Sequence, residues 1–131
     1  MMIRLMPAAF DKKFVRRLEG NHIKSATNKR ELVEQVTNDI QTFINEKQTS
    51  SNVMIWCGST EIFFEPSEVH SSLKKFEKGL VNNDPDISPS MLYAYASLKL
   101  GIPYANGSPN LSVDIPALQA VSYTHLRAHE T

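Results

Sequence analysis

The run Val53-Met-Ile-Trp-Cys57, closed by Gly58, decides the fold. It is apolar throughout and shows no in-out alternation, which predicts a strand buried on both faces, as in a parallel sheet covered by helices. Upstream, the polar run Gln48-Thr-Ser-Ser-Asn52 is a short loop, and before it Leu32, Val36, Ile40, Phe43 and Ile44 recur at helical spacing through Lys47. Asn28, with Glu31 three residues on, approximates a capping box, so an amphipathic helix is predicted from Asn28 to Lys47. Downstream, Ser67 caps a predicted helix with Val69, Leu73, Phe76 and Leu80 on its apolar side, ended by Asn82-Asn83-Asp84-Pro85. Ser88, Pro89 and Gly101 bracket a third helix, Met91 to Leu100. A second strand is read over Ile102 to Asn106, and Asp114 as the cap of a fourth helix beginning at Ile115-Pro116. Strands alternating with helical segments predict an open α/β sheet of parallel strands with right-handed crossovers. Before Ala26, the apolar residues Phe10, Phe14, Val15 and Leu18 among basic ones, with a Gly20-Asn21 turn signal, predict a short helix and an irregular connection.

A chain of 131 residues suffices for one domain with a core and is too short to count on two. Fourteen basic residues balance fourteen acidic ones. No global field therefore draws the protein to nucleic acid or to an acidic membrane, and neither is expected as a partner. A hydrophobic share of 41% argues against disorder. The single cysteine, Cys57, excludes an internal disulfide framework and a multi-cysteine zinc site. No apolar run approaches the roughly 20 residues that span a bilayer. Pro7 and the charged stretch from Asp11 to Arg17 leave no apolar core for a signal peptide. A cytoplasmic location is the expectation.

In open α/β sheets ligands bind at the carboxyl ends of the strands. Two segments fall there: Cys57-Gly58-Ser59-Thr60 and Asn106-Gly107-Ser108-Pro109-Asn110. Both join small residues, which let backbone N–H groups approach a ligand, to hydroxyl or amide side chains that can bond it. An ordinary turn explains either loop alone; two alike at corresponding strand ends favour a polar ligand such as a dinucleotide. Neither G-x-G-x-x-G nor G-x-x-x-x-G-K is present. Cys57 as a nucleophile has no histidine at a telling spacing and reads better as a packed small residue. Glu61 and Glu65 read as exposed loop carboxylates rather than an acid–base pair, His22 and His70 as isolated surface residues, and Lys12, Lys13, Arg16 and Arg17 as a solvated face. The glycosylation triplets Asn106-Gly107-Ser108 and Asn110-Leu111-Ser112 carry no meaning without a secretory signal.

Two of the four histidines, His125 and His129, lie four apart near the end of the chain, a spacing that on a helix would let both ligate a metal. The string Val121-Ser-Tyr-Thr-His-Leu-Arg-Ala-His-Glu-Thr131, however, resembles residue for residue the translation of a transposon-end adapter used in DNA library preparation. Residues 120–131 are therefore set apart as adapter-derived, and no metal site is expected. One charge of each sign leaves with Arg127 and Glu130, so the balance persists.

Three segments carry a family resemblance. Asn52-Val-Met-Ile-Trp-Cys-Gly-Ser-Thr-Glu61 is similar to the segment of myo-inositol-1-phosphate synthases in which a hydrophobic strand ends in W-T-A-N-T-E-R. Ile87-Ser-Pro-Ser-Met-Leu-Tyr-Ala-Tyr-Ala-Ser97 resembles the family's V-S-P-S-T-L-F-A-V-A-S helix, and Gly101 to Leu111 its stretch ending in N-G-S-P-Q-N-T. Trp56, Thr60 and Glu61 match the first motif; Cys57, Gly58, Ser59 and Ile62 depart from it. Asn106, Gly107, Ser108 and Pro109 match the last. The resemblance implies a partial Rossmann-like NAD-binding domain over residues 1–119, truncated at both ends. It implies Cys57, Gly58, Ser59, Thr60, Asn106, Gly107 and Ser108 as the cofactor-binding residues. It further implies an NAD-dependent isomerase of inositol and phospholipid biosynthesis that converts D-glucose 6-phosphate to 1D-myo-inositol 3-phosphate by oxidation at C5, an aldol closure of C6 onto C1, and reduction. A glycine-rich pyrophosphate loop upstream, and catalytic lysines and a tetramerisation sheet downstream, would complete the enzyme. The segment alone is then expected to be inactive, to hold no catalytic residue, and to expose an apolar surface and unpaired sheet edges. Two rivals stand beside it: a dinucleotide-binding domain of another oxidoreductase, and a non-enzymatic α/β module that docks a partner on the Asn28–Lys47 helix.

Overall fold

A computed structural model of the chain describes residues 5–15, 20–58, 61–62, 65–108 and 110–125. Its elements run α1 (Lys29–Lys47), β1 (Met54–Trp56), a 3₁₀ turn (Glu68–His70), α2 (Leu73–Val81), α3 (Pro89–Lys99), β2 (Tyr104–Asn106) and α4 (Pro116–His125). β1 and β2 pair in parallel with Met54 opposite Tyr104 and Trp56 opposite Asn106, so the chain crosses over through α2 and α3 as predicted. Among the described residues no helix is long and apolar enough to cross a membrane.

The helix ends follow their local signals. Asn28 caps α1, its side chain accepting from the Glu31 N–H at 2.9 Å, while the Glu31 carboxylate reaches back to the Thr27 N–H at 2.7 Å. Ser88 caps α3 with Pro89 in the first turn. At the other end Gly101 adopts φ 74, and the Gly101 and Ile102 N–H groups bond the Leu98 and Ser97 carbonyls, each at 3.0 Å. That pairing is a Schellman ending, and it needs a residue tolerant of left-handed backbone.

Other predictions required correction. The helix expected from Ser67 divides: Ser67 precedes only the 3₁₀ turn, and α2 starts anew behind Ser72, whose hydroxyl accepts from the Lys75 N–H at 3.2 Å. Asp114 does not cap α4; its carboxylate takes the Ser112 N–H at 2.9 Å. Ahead of α1 the described residues form no helix. Ala8 instead bridges Ile23 in parallel, with Ala8 N–H to the His22 carbonyl at 3.1 Å and Lys24 N–H to the Ala8 carbonyl at 2.8 Å. Residues 16–19, part of that expected helix, lie outside the described residues.

α3 is the centre of the molecule. It packs against α1, α4 and both strands, and Pro89 to Leu98 are buried apart from Tyr93. Phe76 and Leu80 of α2, Ile87, Met91 and Leu98, and Ile115 and Leu118 at α4 complete the core, with Val33 and Val36 from α1. Val121, the first residue of the adapter-like string, is also fully buried on α4. The sheet is less enclosed than its apolar run predicted. One face is covered, with Trp56 and Tyr93 ring centroids 5.5 Å apart, but on the other Val53 is 60% and Ile55 58% exposed. The unalternating sequence reflects an apolar sheet, and these residues supply a layer for one side of it.

Candidate functional site

Parallel pairing brings the two predicted loops together at one end of the sheet. The ladder continues past the strands: the Gly107 N–H donates to the Trp56 carbonyl at 2.8 Å, and the Ser108 hydroxyl donates to the Gly58 carbonyl at 2.9 Å. Asn106 turns the second loop on itself, its carbonyl oxygen accepting from the Ser108 N–H at 2.9 Å and its amide donating to the Asn110 carbonyl at 2.6 Å. Both glycines sit tight against Trp56. A Cβ on Gly107 would stand 2.9 Å from the Trp56 carbonyl oxygen, and one on Gly58 2.9 Å from the Trp56 ring. The sequence explains these glycines by room for a ligand; the structure adds room for Trp56. Cys57 and Gly58 are exposed on the crest, whereas Ser59, Thr60 and Pro109 lie outside the described residues.

Below the crest, Glu61 is buried, contrary to the exposed loop carboxylate expected. Its carboxylate accepts the Ser90 N–H at 2.9 Å, the Ser90 hydroxyl at 2.6 Å and the Asn110 amide at 3.2 Å. Burial pushes its pKa up, and the hydrogen bonds from Ser90 oppose the shift. Because Ser90 is in the first turn of α3, a negative group there meets N–H groups without helical partners and the positive end of the helix dipole. Tyr104 donates to the Ser90 carbonyl at 3.4 Å, and burial drives its phenol up to about 12. Two polar atoms beside the loops, Trp56 Nε1 and Asn110 Oδ1, are buried with no hydrogen-bond partner among the described residues.

The remaining candidates disperse. His70 is buried, not at the surface: its Nδ1 accepts the Ser67 N–H at 2.9 Å and Nε2 lies 2.8 Å from the Asp86 carbonyl, so it holds the 3₁₀ turn to the loop before α3. His22 is exposed, with Nε2 3.1 Å from the Leu5 carbonyl. Both imidazoles are thus engaged away from Cys57, whose sulfur lies 4.0 Å from the Ile55 carbonyl. Glu65 is exposed as expected. Lys13 leaves the basic cluster to bond the Pro85 carbonyl at 2.9 Å and Asp86 at 3.3 Å, while Arg16 and Arg17 lie outside the described residues. Among the described residues no group of three or more His, Cys, Asp or Glu is placed to hold a metal ion. Sequence reasoning missed Ser90 and Asn110 as partners of Glu61. The available signal was the open N-terminus of α3, which calls for an acceptor without saying from where.

Comparison with known proteins bears on these loops. Residues 1–128 match the model of an NAD-binding family described as myo-inositol-1-phosphate synthase. Inositol-3-phosphate synthase 1 of Bacteroides thetaiotaomicron is 44% identical over 117 residues, 88% of this chain and 27% of that protein. The inositol-3-phosphate synthase of Trypanosoma brucei brucei is 34% identical over 79% of this chain and 20% of its own length. A crystal structure of inositol-3-phosphate synthase from Caenorhabditis elegans superposes with a TM-score of 0.84 at 24% identity, over 92% of this chain and 24% of that one. The chain therefore spans between a fifth and just over a quarter of the length of these relatives. Its fold is the α/β arrangement of part of a Rossmann-like domain. Of the α1 helix offered to a partner, Val33 and Val36 lie in the protein's own core, while Phe43 is 51% exposed. By the match over residues 1–128, the chain belongs to the myo-inositol-1-phosphate synthase family.

Proposed function

We propose that this chain is part of the NAD-holding domain of an inositol-3-phosphate synthase, an isomerase that converts D-glucose 6-phosphate to 1D-myo-inositol 3-phosphate. The observation that carries the proposal is the cross-linked loop pair at the carboxyl ends of adjacent parallel strands, joined through Trp56–Gly107 and Gly58–Ser108. Cys57, Gly58, Ser59, Thr60, Asn106, Gly107 and Ser108 would hold the cofactor. The fit is chemical: the Trp56 carbonyl leaves no room for a side chain at Gly107 and the Trp56 ring crowds one at Gly58, so the crest stays low enough for a flat ligand to approach backbone. Trp56 Nε1 and Asn110 Oδ1 add one donor and one acceptor without partners among the described residues.

When bound, NAD supplies the acceptor and donor of a hydride in a reaction with no net redox change. The residues of this chain do the positioning. The Gly107 N–H bond pins the second loop to β1, Asn106 keeps that loop in its turn, the Ser108 hydroxyl ties it to Gly58 of the first, and Trp56 against Tyr93 gives both an apolar floor. The proposal includes a cytoplasmic homo-tetramer serving inositol and phospholipid biosynthesis, with a glycine-rich pyrophosphate loop and catalytic lysines supplied by sequence outside residues 1–119. Residues 120–131 belong to it as adapter-derived, supported by the residue-for-residue likeness of the last eleven.

Recovering the uninterrupted gene tests all of this. The expected result is a glycine-rich strand-to-helix turn upstream, a lysine-rich segment in place of 121–131, and glucose 6-phosphate cyclisation that depends on NAD. Residues 1–119 alone should give none. An ordinary stop codon without either motif, or robust turnover by 1–119, would overturn the proposal.

A further inference from the structure

Glu61 has no task in the cofactor chemistry, yet it is 3% exposed and bonded to two other parts of the chain. Its own segment follows β1. Ser90, which gives it both an N–H and a hydroxyl, opens α3, and Asn110, which gives it an amide, closes the loop after β2. The Asn110 amide also lies 3.2 Å from the Ser90 hydroxyl, and the Asn110 carbonyl receives the Asn106 amide at 2.6 Å. One carboxylate thus joins both loops to the first turn of the most buried helix. Burying a charge is costly unless its hydrogen bonds are met, so the three pieces have one favourable arrangement and lose several bonds together if any piece moves.

We infer that Glu61 is a positioning residue that fixes the two cofactor loops relative to each other and to α3, so that the pair is held in its binding shape before NAD arrives. The inference rests on the cofactor role proposed above for those loops. A loop pair that is competent only a tenth of the time binds about tenfold more weakly, with no contact to the ligand altered.

Glu61→Met keeps the side-chain volume and deletes every bond; Glu61→Gln keeps an acceptor for the Ser90 N–H and, with Asn110 turned over, a partner for its carbonyl oxygen. Amide hydrogen exchange on the full 131-residue chain should be about tenfold faster in Glu61→Met at Ser90–Leu92 and at 107–112 together, the size of a bond to a charged group. α1 should be unchanged and Glu61→Gln close to the parent. NAD affinity by calorimetry should fall about tenfold in Glu61→Met and recover in Glu61→Gln. If Glu61→Met does not fold, Asn110→Ala should speed exchange in 107–112 alone. Unchanged exchange in both regions in Glu61→Met, or unchanged exchange in 107–112 in Asn110→Ala, overturns the inference. Absence of NAD binding by the parent chain would instead count against the cofactor proposal, with the exchange experiment still deciding the role of Glu61.

Discussion

The loops Cys57–Thr60 and Asn106–Asn110 look alike in sequence, each a Gly-Ser pair at the end of a short strand, yet they are built differently. In the second, the N–H groups of Gly107, Ser108 and Asn110 are all spent within the protein, on the Trp56 carbonyl, the Asn106 side chain and the Ser108 carbonyl. In the first, Cys57 and Gly58 are exposed, and what holds Gly58 is the Trp56 ring beneath it and the Ser108 hydroxyl on its carbonyl. A similar composition therefore serves two ends: the second loop is a brace, and the first is the surface that the brace supports.

The largest test of that contrast is Gly107→Ala. Its Cβ would strike a backbone carbonyl that cannot rotate away, and the ladder bond at 2.8 Å would be disturbed with it. The expected loss is about 2–3 kcal/mol in urea unfolding. Gly58→Ala meets only ring atoms of Trp56, which can tilt, so about 1 kcal/mol or less is expected. Equal losses would mean that the two loops are mechanically equivalent.

A third test uses pH. Burial raises the Glu61 pKa above its ordinary 4.5, with Asp11 adding to the shift and Ser90 opposing it, while the Tyr104 phenol is itself raised to about 12. Between 4.5 and the folded value the folded state holds a proton that the unfolded state has lost, so stability contributed at this site falls as pH rises through that window. The difference in stability between parent and Glu61→Gln should follow that slope; a difference independent of pH would show that Glu61 titrates as an ordinary exposed carboxylate. Smallest of all, Cys57→Ser is exposed and should change stability by no more than about 0.5 kcal/mol. A larger loss would make the first loop a brace too.

Legibility followed the range of the interactions. α1 and α3 were readable to within a residue or two because their stops and starts are local: Asn28 bonds three residues ahead, Ser88 likewise, and Gly101 meets its own backbone requirement. The split near Ser67 was not readable, because Val69 serves the core rather than a helix stripe. A Cβ on Gly79 would come within 2.4 Å of Val69, so Gly79 leaves the space that Val69 fills. Likewise Glu61 looked like any loop glutamate, since its partners lie 29 and 49 residues away. His70 passed for a surface residue because the Asp86 carbonyl that holds it is 16 residues off.

By itself the sequence determined the alternation of strands and helices, the parallel pairing that follows from it, the two loops at the strand ends, and the family motifs they carry. These depend on periodicity, capping and turn chemistry, all set within a few residues. Only the tertiary structure decided which sheet face is covered, that both glycines sit tight against Trp56, and that a buried carboxylate joins the loops to α3. Those outcomes depend on desolvation and on bonds between distant segments, and a charge leaves water only where the fold has already assembled its partners.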